Sequence, residues 1–290
     1  MCDLKIGVDD VCAIMTTFDP EPSIFDRVSE ISDQVGHLIL VNDSGSGKVK
    51  NSLNDWLPSS EQITLIHNSE NVGIARSLNT GIKQAKELGY SWLLTLDDDS
   101  KLNKDLVLKL LQSYKNSLTQ HNVGLISLSR SDNQTISKSS IEIKRGVITS
   151  GSLFNINVFD MTGGFREELF IDLVDYEFCI QIRKLGYVVL KSSEFGMEHS
   201  VGDTTNIKFL GLNIKVFNHS PFRKYYIARN SIVLAKENFL TDPLFSAVLL
   251  FDVFSTFLKV MFFENEKITK FKFLSKGIFH GVLNKLGRLS

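Results

Sequence analysis

Short apolar runs alternate, over the first half of the chain, with longer segments whose apolar residues recur every three or four positions. Val11–Thr17, His37–Val41, Ile63–Ile66, Ser91–Leu96 and Val123–Leu128 are such runs, each closed by polar or turn-forming residues. That is the pattern of buried strands. Between them, Ile24–Ile31 reads as a helix after Pro20 and Pro22, and Ile74, Leu78, Ile82 and Ala85 keep helical spacing up to Gly89. Leu106, Leu110 and Tyr114 mark a further helix. Strands alternating with helices predict the α/β class, with a mostly parallel twisted sheet wound by right-handed crossovers and flanked by helices.

The pattern then changes. Ser129–Lys144 is polar and Ser-rich and reads as a loop. Val147–Phe154 and Tyr187–Lys191 read as strands, Gly163-Gly164 as a turn, and Val174–Leu185 as a helix with Val174, Phe178, Ile182 and Leu185 inward. His199–Ser220 reads as irregular and Arg223–Lys236 as a helix. Pro243–Phe263 is long and apolar enough to cross a bilayer. Asp252 and Lys259 interrupt it, and charge at midspan is costly. The expectation is a helical extension lying on an anionic membrane surface, reinforced by the Lys/Phe-rich segment from Lys270 onward. A helical pair that only covers the core is the alternative. The expected division is residues 1–238 and a C-terminal helical extension, residues 239–290.

Composition narrows the class. The chain has 290 residues with 43% hydrophobic and 22% charged content, ordinary for a globular protein. The net charge of −1 gives no reason to expect nucleic acid as a partner. Six basic and no acidic residues lie between Lys267 and Arg288, however, and many of the 21 phenylalanines fall in the last third. Three cysteines without a CxxC or Cys/His cluster argue against a disulfide scaffold or a zinc site. The first ten residues carry Asp3, Asp9 and Asp10 and lack the pattern of a signal peptide, so a cytoplasmic protein is expected.

Asp97-Asp98-Asp99 directly follows the run Ser91–Leu96. Three adjacent carboxylates repel one another unless they splay into water or bind a cation. Their oxygens suit hard ions such as Mg²⁺ or Mn²⁺, and open α/β sheets bind ligands at the carboxyl ends of strands. A metal–phosphate site and a solvated acidic turn are both compatible with the local sequence.

Four motifs occur in order: a strand ending in Thr16-Thr17-Phe18, a strand ending in Asn42-Asp43-Ser44-Gly45-Ser46, the segment Asn71-Val72-Gly73-Ile74-Ala75-Arg76, and Leu96-Asp97-Asp98-Asp99-Ser100. Further on come Gly163–Cys179, Met197-Glu198-His199 and His219–Asn230. Together they resemble a family 2 glycosyltransferase of the GT-A fold, in its rhamnosyltransferase-like branch, over roughly Val11–Asn238.

The resemblance implies roles. The triplet is the DxD element: Asp97 approaches the ribose or the metal, Asp99 binds the Mg²⁺ or Mn²⁺ that bridges the diphosphate, and Asp98 is the spacer on the nucleotide side. Asn42 stands where the family usually has an acidic residue, with Asp43 next, and one of the two contacts the nucleobase. Thr16 and Phe18 line the same pocket. Asn71, Gly73 and Arg76 open a helix toward the donor, where Gly73 permits close backbone approach and the helix N-terminus favours anions. A plain helix cap is the other use of Asn71. Asp175, in the first turn of a helix, is the candidate base that takes the acceptor's proton. Gly151, Ser152, Asp172 and Glu177 fall on the acceptor side. His199 completes the metal shell, and Arg223 and Arg229, beside Tyr225 and Tyr226, hold the donor diphosphate or an acceptor phosphate.

The expected activity is inverting, metal-dependent transfer of a sugar, L-rhamnose from dTDP-rhamnose, to a lipid-linked glycan at the inner face of the cell membrane. Alternatives are a UDP-hexose donor on the same fold and a non-catalytic sugar-binding protein. A nucleotidyltransferase is disfavoured, because its Gly-rich basic loop is missing after the first strand, where Thr16-Thr17-Phe18-Asp19-Pro20 stands.

Overall fold

The computed structural model describes residues 6–56, 60–117, 122–130, 141–199, 204–209 and 212–289. Its elements, in chain order, are β1 (Val11–Thr17), α1 (Ile24–Ser32), β2 (His37–Asn42), α2 (Gly47–Trp56), β3 (Ile63–His67), α3 (Ile74–Glu87), β4 (Trp92–Asp97), β5 (Ser100–Leu102), α4 (Leu106–Ser117) and β6 (Val123–Arg130). They continue with β7 (Ile141–Lys144), β8 (Ser152–Asn155), α5 (Ile156–Thr162), α6 (Val174–Lys184), β9 (Val188–His199), β10 (Thr204–Phe209), β11 (Leu212–Phe217), α7 (Pro221–Asn238), α8 (Pro243–Phe263) and α9 (Lys267–Val282). The chain divides into two compact units: residues 1–167 with 175–200, and residues 168–174 with 201–290.

The first unit is built on a sheet of order β3-β2-β1-β4-β8-β6-β9-β5, with β7 also paired to β9. Strands β3, β2, β1, β4, β6 and β9 run the same way, and β8, β5 and β7 run against them. Every residue of β1 and β2 is buried, as expected of central parallel strands covered on both faces. One face packs Val11, Ala13, Met15, Leu38, Leu40 and Leu94 against Ile24, Val28 and Ile31 of α1 and Leu106, Val107 and Leu110 of α4. The other takes α3. A Cβ on Gly81 would sit 2.5 Å from Ile14 and 3.1 Å from Val41, so the missing side chain lets α3 lie directly on β1 and β2.

The second unit holds the β10–β11 hairpin and helices α7, α8 and α9. A Cβ on Gly277 would lie 2.3 Å from the Tyr225 carbonyl, and one on Gly281 would lie 2.8 Å from the Arg229 carbonyl, so two glycines four residues apart bring α9 tight against α7. Tyr225 and His280 share a 2.7 Å hydrogen bond across this contact. Glu264, after α8, accepts from Lys224 at 2.6 Å and from Lys270 at 3.0 Å, and all three are buried. The boundary expected at residue 238 falls between α7 and α8, both of which belong to this unit.

Several local expectations are corrected. Part of the expected loop at 129–144 is strand, the end of β6 and all of β7, while residues 131–140 lie outside the described residues. The strand expected at 147–154 is confined to β8. The expected irregular stretch 199–220 contains the β10–β11 hairpin, in which Thr204–Phe209 pairs antiparallel with Leu212–Phe217. Leu185 follows the last turn of α6 and is 43% exposed rather than inward.

Candidate functional site

The parallel strands bring a row of polar residues to one edge of the sheet. In the ladders, His67 pairs with Asn42, Asn42 with Thr17, and Thr16 with Asp97. Consecutive strand ends of a parallel sheet must line up in this way, because the registers are locked by the buried side chains behind them. Four strands therefore deliver their last residues to one place.

The acidic triplet is not used symmetrically. Thr17 donates its hydroxyl to the Asp98 carboxylate, and Arg27 of α1 donates to the Asp98 carbonyl. Burial raises the Asp98 carboxyl above the usual range and Asp99 adds to this, while Thr17, Arg27 and the Phe18 N–H oppose it. Asp98 is thus a spacer tied back to the end of β1. The Asp97 N–H donates to Ser150 Oγ at 3.0 Å, and Gly151 donates to the Thr95 carbonyl at 2.8 Å. Residues 150–151 are thereby stitched beside the triplet.

His199 pairs through its backbone with Ser100, next to Asp99; its side chain lies outside the described residues. Asp97 and Asp99 flank the carboxylate that turns away to Thr17. Among the described residues, no group of three or more His, Cys, Asp or Glu side chains is assembled to hold a metal ion.

At the end of β1, Phe18 is 53% exposed and Thr16 is buried. The Asn42 side-chain Oδ1 accepts from the Ser44 N–H and hydroxyl at 3.0 and 2.6 Å, and the side-chain Nδ2 lies 3.1 Å from His67 Nδ1. Burial and nearby Lys50 lower the His67 pKa, so that ring is neutral at pH 7. Asp43 accepts from Asn68 at 2.8 Å and from the N–H groups of Val72 and Gly73 at 2.9 Å. It organises the loop that opens α3. Gly73, the residue before α3, sits at φ 90°, a conformation that favours glycine. Asn71 Oδ1 also accepts from the Gly73 N–H, at 3.1 Å. Arg76 is largely exposed, with Glu167 3.8 Å away.

Asp175 lies in the first turn of α6, partly exposed, and accepts from the Tyr176 N–H at 3.0 Å. The start of α6 packs on residues 146–147: a Cβ on Gly146 would meet the Tyr176 ring at 2.6 Å, and Cys179 donates to the Val147 carbonyl. That places α6 on the segment that runs into Ser150 and the triplet. Burial pushes the Cys179 thiol up to about 12, so it is an inert core group. Two acceptor-side expectations are corrected. Ser152 is fully buried and donates to the Ile148 carbonyl at 2.7 Å. Glu177 is 4% exposed and accepts from Gln181 at 2.8 Å, on the inner side of α6.

The second unit separates the two arginines. Arg223 pairs with Asp172 through two contacts, at 2.5 and 3.4 Å, and keeps 42% of its side chain exposed. Arg229 is fully buried, donating to the carbonyls of Glu168 and Leu169 at 3.1 and 2.8 Å and to that of Gly287. Its guanidinium lies 4.7 Å from the Tyr226 ring centroid. A guanidinium enclosed in this way is not available to a phosphate, which corrects its expected role. Burial, reinforced by Arg223, lowers His219 to about 4, so it is neutral at physiological pH. Phe170, Asp172 and Leu173 have φ of 66°, 64° and 63°, and left-handed backbone costs a non-glycine residue roughly 1–2 kcal/mol.

Sequence reasoning missed Thr17, Ser150 and Asn68. Only Thr17 had a local signal, as the polar residue between Thr16 and Phe18; the others act across long sequence separations.

Residues 12–170 match the family model described as glycosyl transferase family 2. A dTDP-rhamnosyl transferase, RfbF, of Shigella flexneri is 28% identical over 251 residues, covering 79% of this chain and 80% of that protein. Among solved structures, S. aureus TarS 1-349 matches 95% of this chain and 81% of its own at 12% identity, with a TM-score of 0.56. The same protein in complex with UDP-GlcNAc matches with a TM-score of 0.57 at 15% identity, covering 94% of this chain and 81% of that one. GalNAc-T7 with UDP, GalNAc and Mn²⁺ matches 75% of this chain and 47% of its own, at 14% identity and a TM-score of 0.53. These likenesses establish the GT-A fold.

Proposed function

The chain belongs to glycosyl transferase family 2, and from that membership we propose that it transfers L-rhamnose from dTDP-rhamnose, with inversion, to a lipid-linked intermediate of a cell-surface polysaccharide. The observation that carries the donor is the likeness to the Shigella flexneri dTDP-rhamnosyl transferase over most of both chains. The strand-end row supports a nucleotide-diphosphate site on this sheet edge: Thr16 opposite Asp97, with Asn42 and His67 beyond.

In this reading, Phe18 and the Asn42–Asp43 loop hold the base, and Asp43 keeps Gly73 and the opening of α3 in place for the diphosphate. Asp97 and Asp99, with His199, hold a Mg²⁺ or Mn²⁺ ion, which when bound neutralises charge developing on the leaving diphosphate. Asp175 accepts the proton of the attacking hydroxyl as that oxygen bonds to the anomeric carbon and the nucleotide diphosphate departs. Its place in the first turn of α6 favours the ionised form a base requires. Within the second unit, the paired Asp172 and Arg223 serve acceptor or phosphate groups.

The exposed face of α8 supports a membrane-surface location. α8 is long and apolar enough to cross a membrane by length and composition. Phe245, Leu249 and Val253 are buried, whereas Leu244, Phe251, Phe254 and Phe262 are each more than half exposed. A helix with an apolar outer face followed by a basic segment suits the interface of the cytoplasmic leaflet, where a lipid-linked acceptor resides.

Release of nucleotide diphosphate is to be measured from a panel of dTDP- and UDP-sugars, with and without Mg²⁺ or Mn²⁺, in the presence of extracted lipid acceptors. Metal-dependent turnover of dTDP-rhamnose is expected. Turnover of a UDP-sugar instead overturns the donor, and metal-independent turnover overturns the ion's role. Asp175→Asn is expected to lose about 10²–10⁴-fold in turnover with donor binding retained; donor binding without turnover by the wild type would point to a sugar-binding protein.

A further inference from the structure

Asn230 is fully buried on α7. Its amide nitrogen lies 3.1, 2.8 and 2.8 Å from the carbonyls of Leu169, Ile171 and Asp172. Its own carbonyl accepts from Arg229 Nε at 2.9 Å. Arg229 in turn takes the carbonyls of Glu168 and Leu169. Two adjacent side chains of one helix thus gather four carbonyls from five consecutive residues.

That segment and the residue after it hold three non-glycine residues with left-handed backbone, Phe170, Asp172 and Leu173. Such a turn persists only where its surroundings over-determine it. Here they do: Phe170 stacks on Tyr226 at 5.0 Å and Gly287 donates to the Glu168 carbonyl at 2.8 Å. The clamped turn presents the Asp172 carboxylate to Arg223, and the chain leaves it directly into α6, whose first turn carries Asp175. Asparagine suits the position chemically. It offers N–H groups to the carbonyls and an oxygen to Arg229, whereas an aspartate would set a carboxylate against those same carbonyls.

We propose that Asn230 is a positioning residue for the transfer reaction, holding the 169–173 turn so that Asp172 meets Arg223 in one fixed conformation. The proposal rests on the reading that Asp172 and Arg223 serve the reacting groups. It assigns Asn230 no contact with substrate, so its removal acts on turnover more than on donor binding.

The test uses the full chain with dTDP-rhamnose, or with the UDP-sugar that is turned over in its place. Asn230→Ala is expected to lower kcat by about ten- to a hundredfold, with donor KM within about threefold. Amide hydrogen exchange of residues 169–175 is expected to quicken while that of β1 and β4 stays unchanged. Asn230→Ser, which keeps one donor, is expected to recover part of both effects, and is read in the same way if the alanine variant does not fold. An unchanged kcat, or a loss that tracks a global rise in exchange, overturns the proposal. Asp175→Asn is measured alongside. Full activity there overturns the base assignment alone, whereas a kcat loss with local loosening at Asn230 still upholds positioning of Asp172 and Arg223.

Discussion

Thr17 donates its hydroxyl to Asp98, and this one bond gives the three consecutive aspartates different roles. The middle carboxylate is turned back onto the end of β1. Asp97 lies opposite Thr16 in the ladder and is tied to Ser150 through its N–H.

Asp97→Ala and Asp99→Ala are therefore expected to lose turnover by about 10²-fold or more, the range seen when a group that stabilises developing charge is removed. Asp98→Asn keeps an acceptor for Thr17 and is expected to stay within a few-fold of wild type. Steady-state kinetics on the three variants checks this; equal losses at all three positions would refute the division of roles.

Asp98 also carries a pH signature. Burial raises its carboxyl pKa in the folded state, so the fold binds this proton more tightly than the unfolded chain does. The resulting contribution to stability is complete below the unfolded pKa of about 3.9 and is lost as pH rises through the higher folded value. Asp98→Asn should match wild type most closely in acid and gain stability relative to it toward neutrality. Denaturant melts of both proteins across that pH range measure the difference; a gain that shrinks with rising pH would contradict it.

Asp43 holds three donors from the β3–α3 loop. Asp43→Ala leaves the N–H groups of Val72 and Gly73 without their acceptor and should destabilise by about 2–3 kcal/mol, since hydrogen bonds to a charged group are the stronger kind. Donor affinity should fall as well, because the same loop opens α3. Thermal melts and nucleotide-diphosphate binding read the two effects separately.

Glu264 lies between Lys224 and Lys270, all buried. Burial lowers the Lys224 pKa and the Glu264 pairing opposes that fall. Glu264→Gln strips the anion from two enclosed ammonium groups and should cost about 3–5 kcal/mol. Replacing all three with apolar residues of similar volume should recover most of that loss in the same chemical melt.

The outer face of α8 predicts binding to vesicles. Phe251→Asp with Phe254→Asp alters two residues that are 66% and 57% exposed, so the fold should survive. Removing two aromatic side chains from an interface is expected to lower partitioning into anionic vesicles by tenfold or more, at about 1.5–3 kcal/mol for each buried aromatic. Sedimentation with phosphatidylglycerol vesicles tests it, and unchanged sedimentation would mean that this face does not meet lipid.

The alternating strands and helices of the first half were legible because each is specified locally: β1 and β2 by continuous apolar runs, α3 by Ile74, Leu78 and Ile82 at helical spacing. The triplet was legible for the same reason, as charge placed directly after a buried strand. The β10–β11 hairpin was read as irregular although Ile207, Phe209, Leu212, Ile214 and Val216 alternate with polar residues. Arg229 looked like a phosphate ligand, since nothing local reveals that the carbonyls of Glu168, Leu169 and Gly287 enclose it.

By itself the sequence determined the α/β class, the order of the main strands in the first half, the family, and the placing of Asp97–Asp99 at a strand end, because hydrophobic period and turn chemistry act over a few residues. Tertiary structure alone decided that Asp98 turns to Thr17, that Asp43 serves the β3–α3 loop, and that Arg229 and Asn230 hold the turn before α6. Those outcomes depend on which polar groups burial brings together across tens of residues of chain, where each donor must find an acceptor once water is excluded.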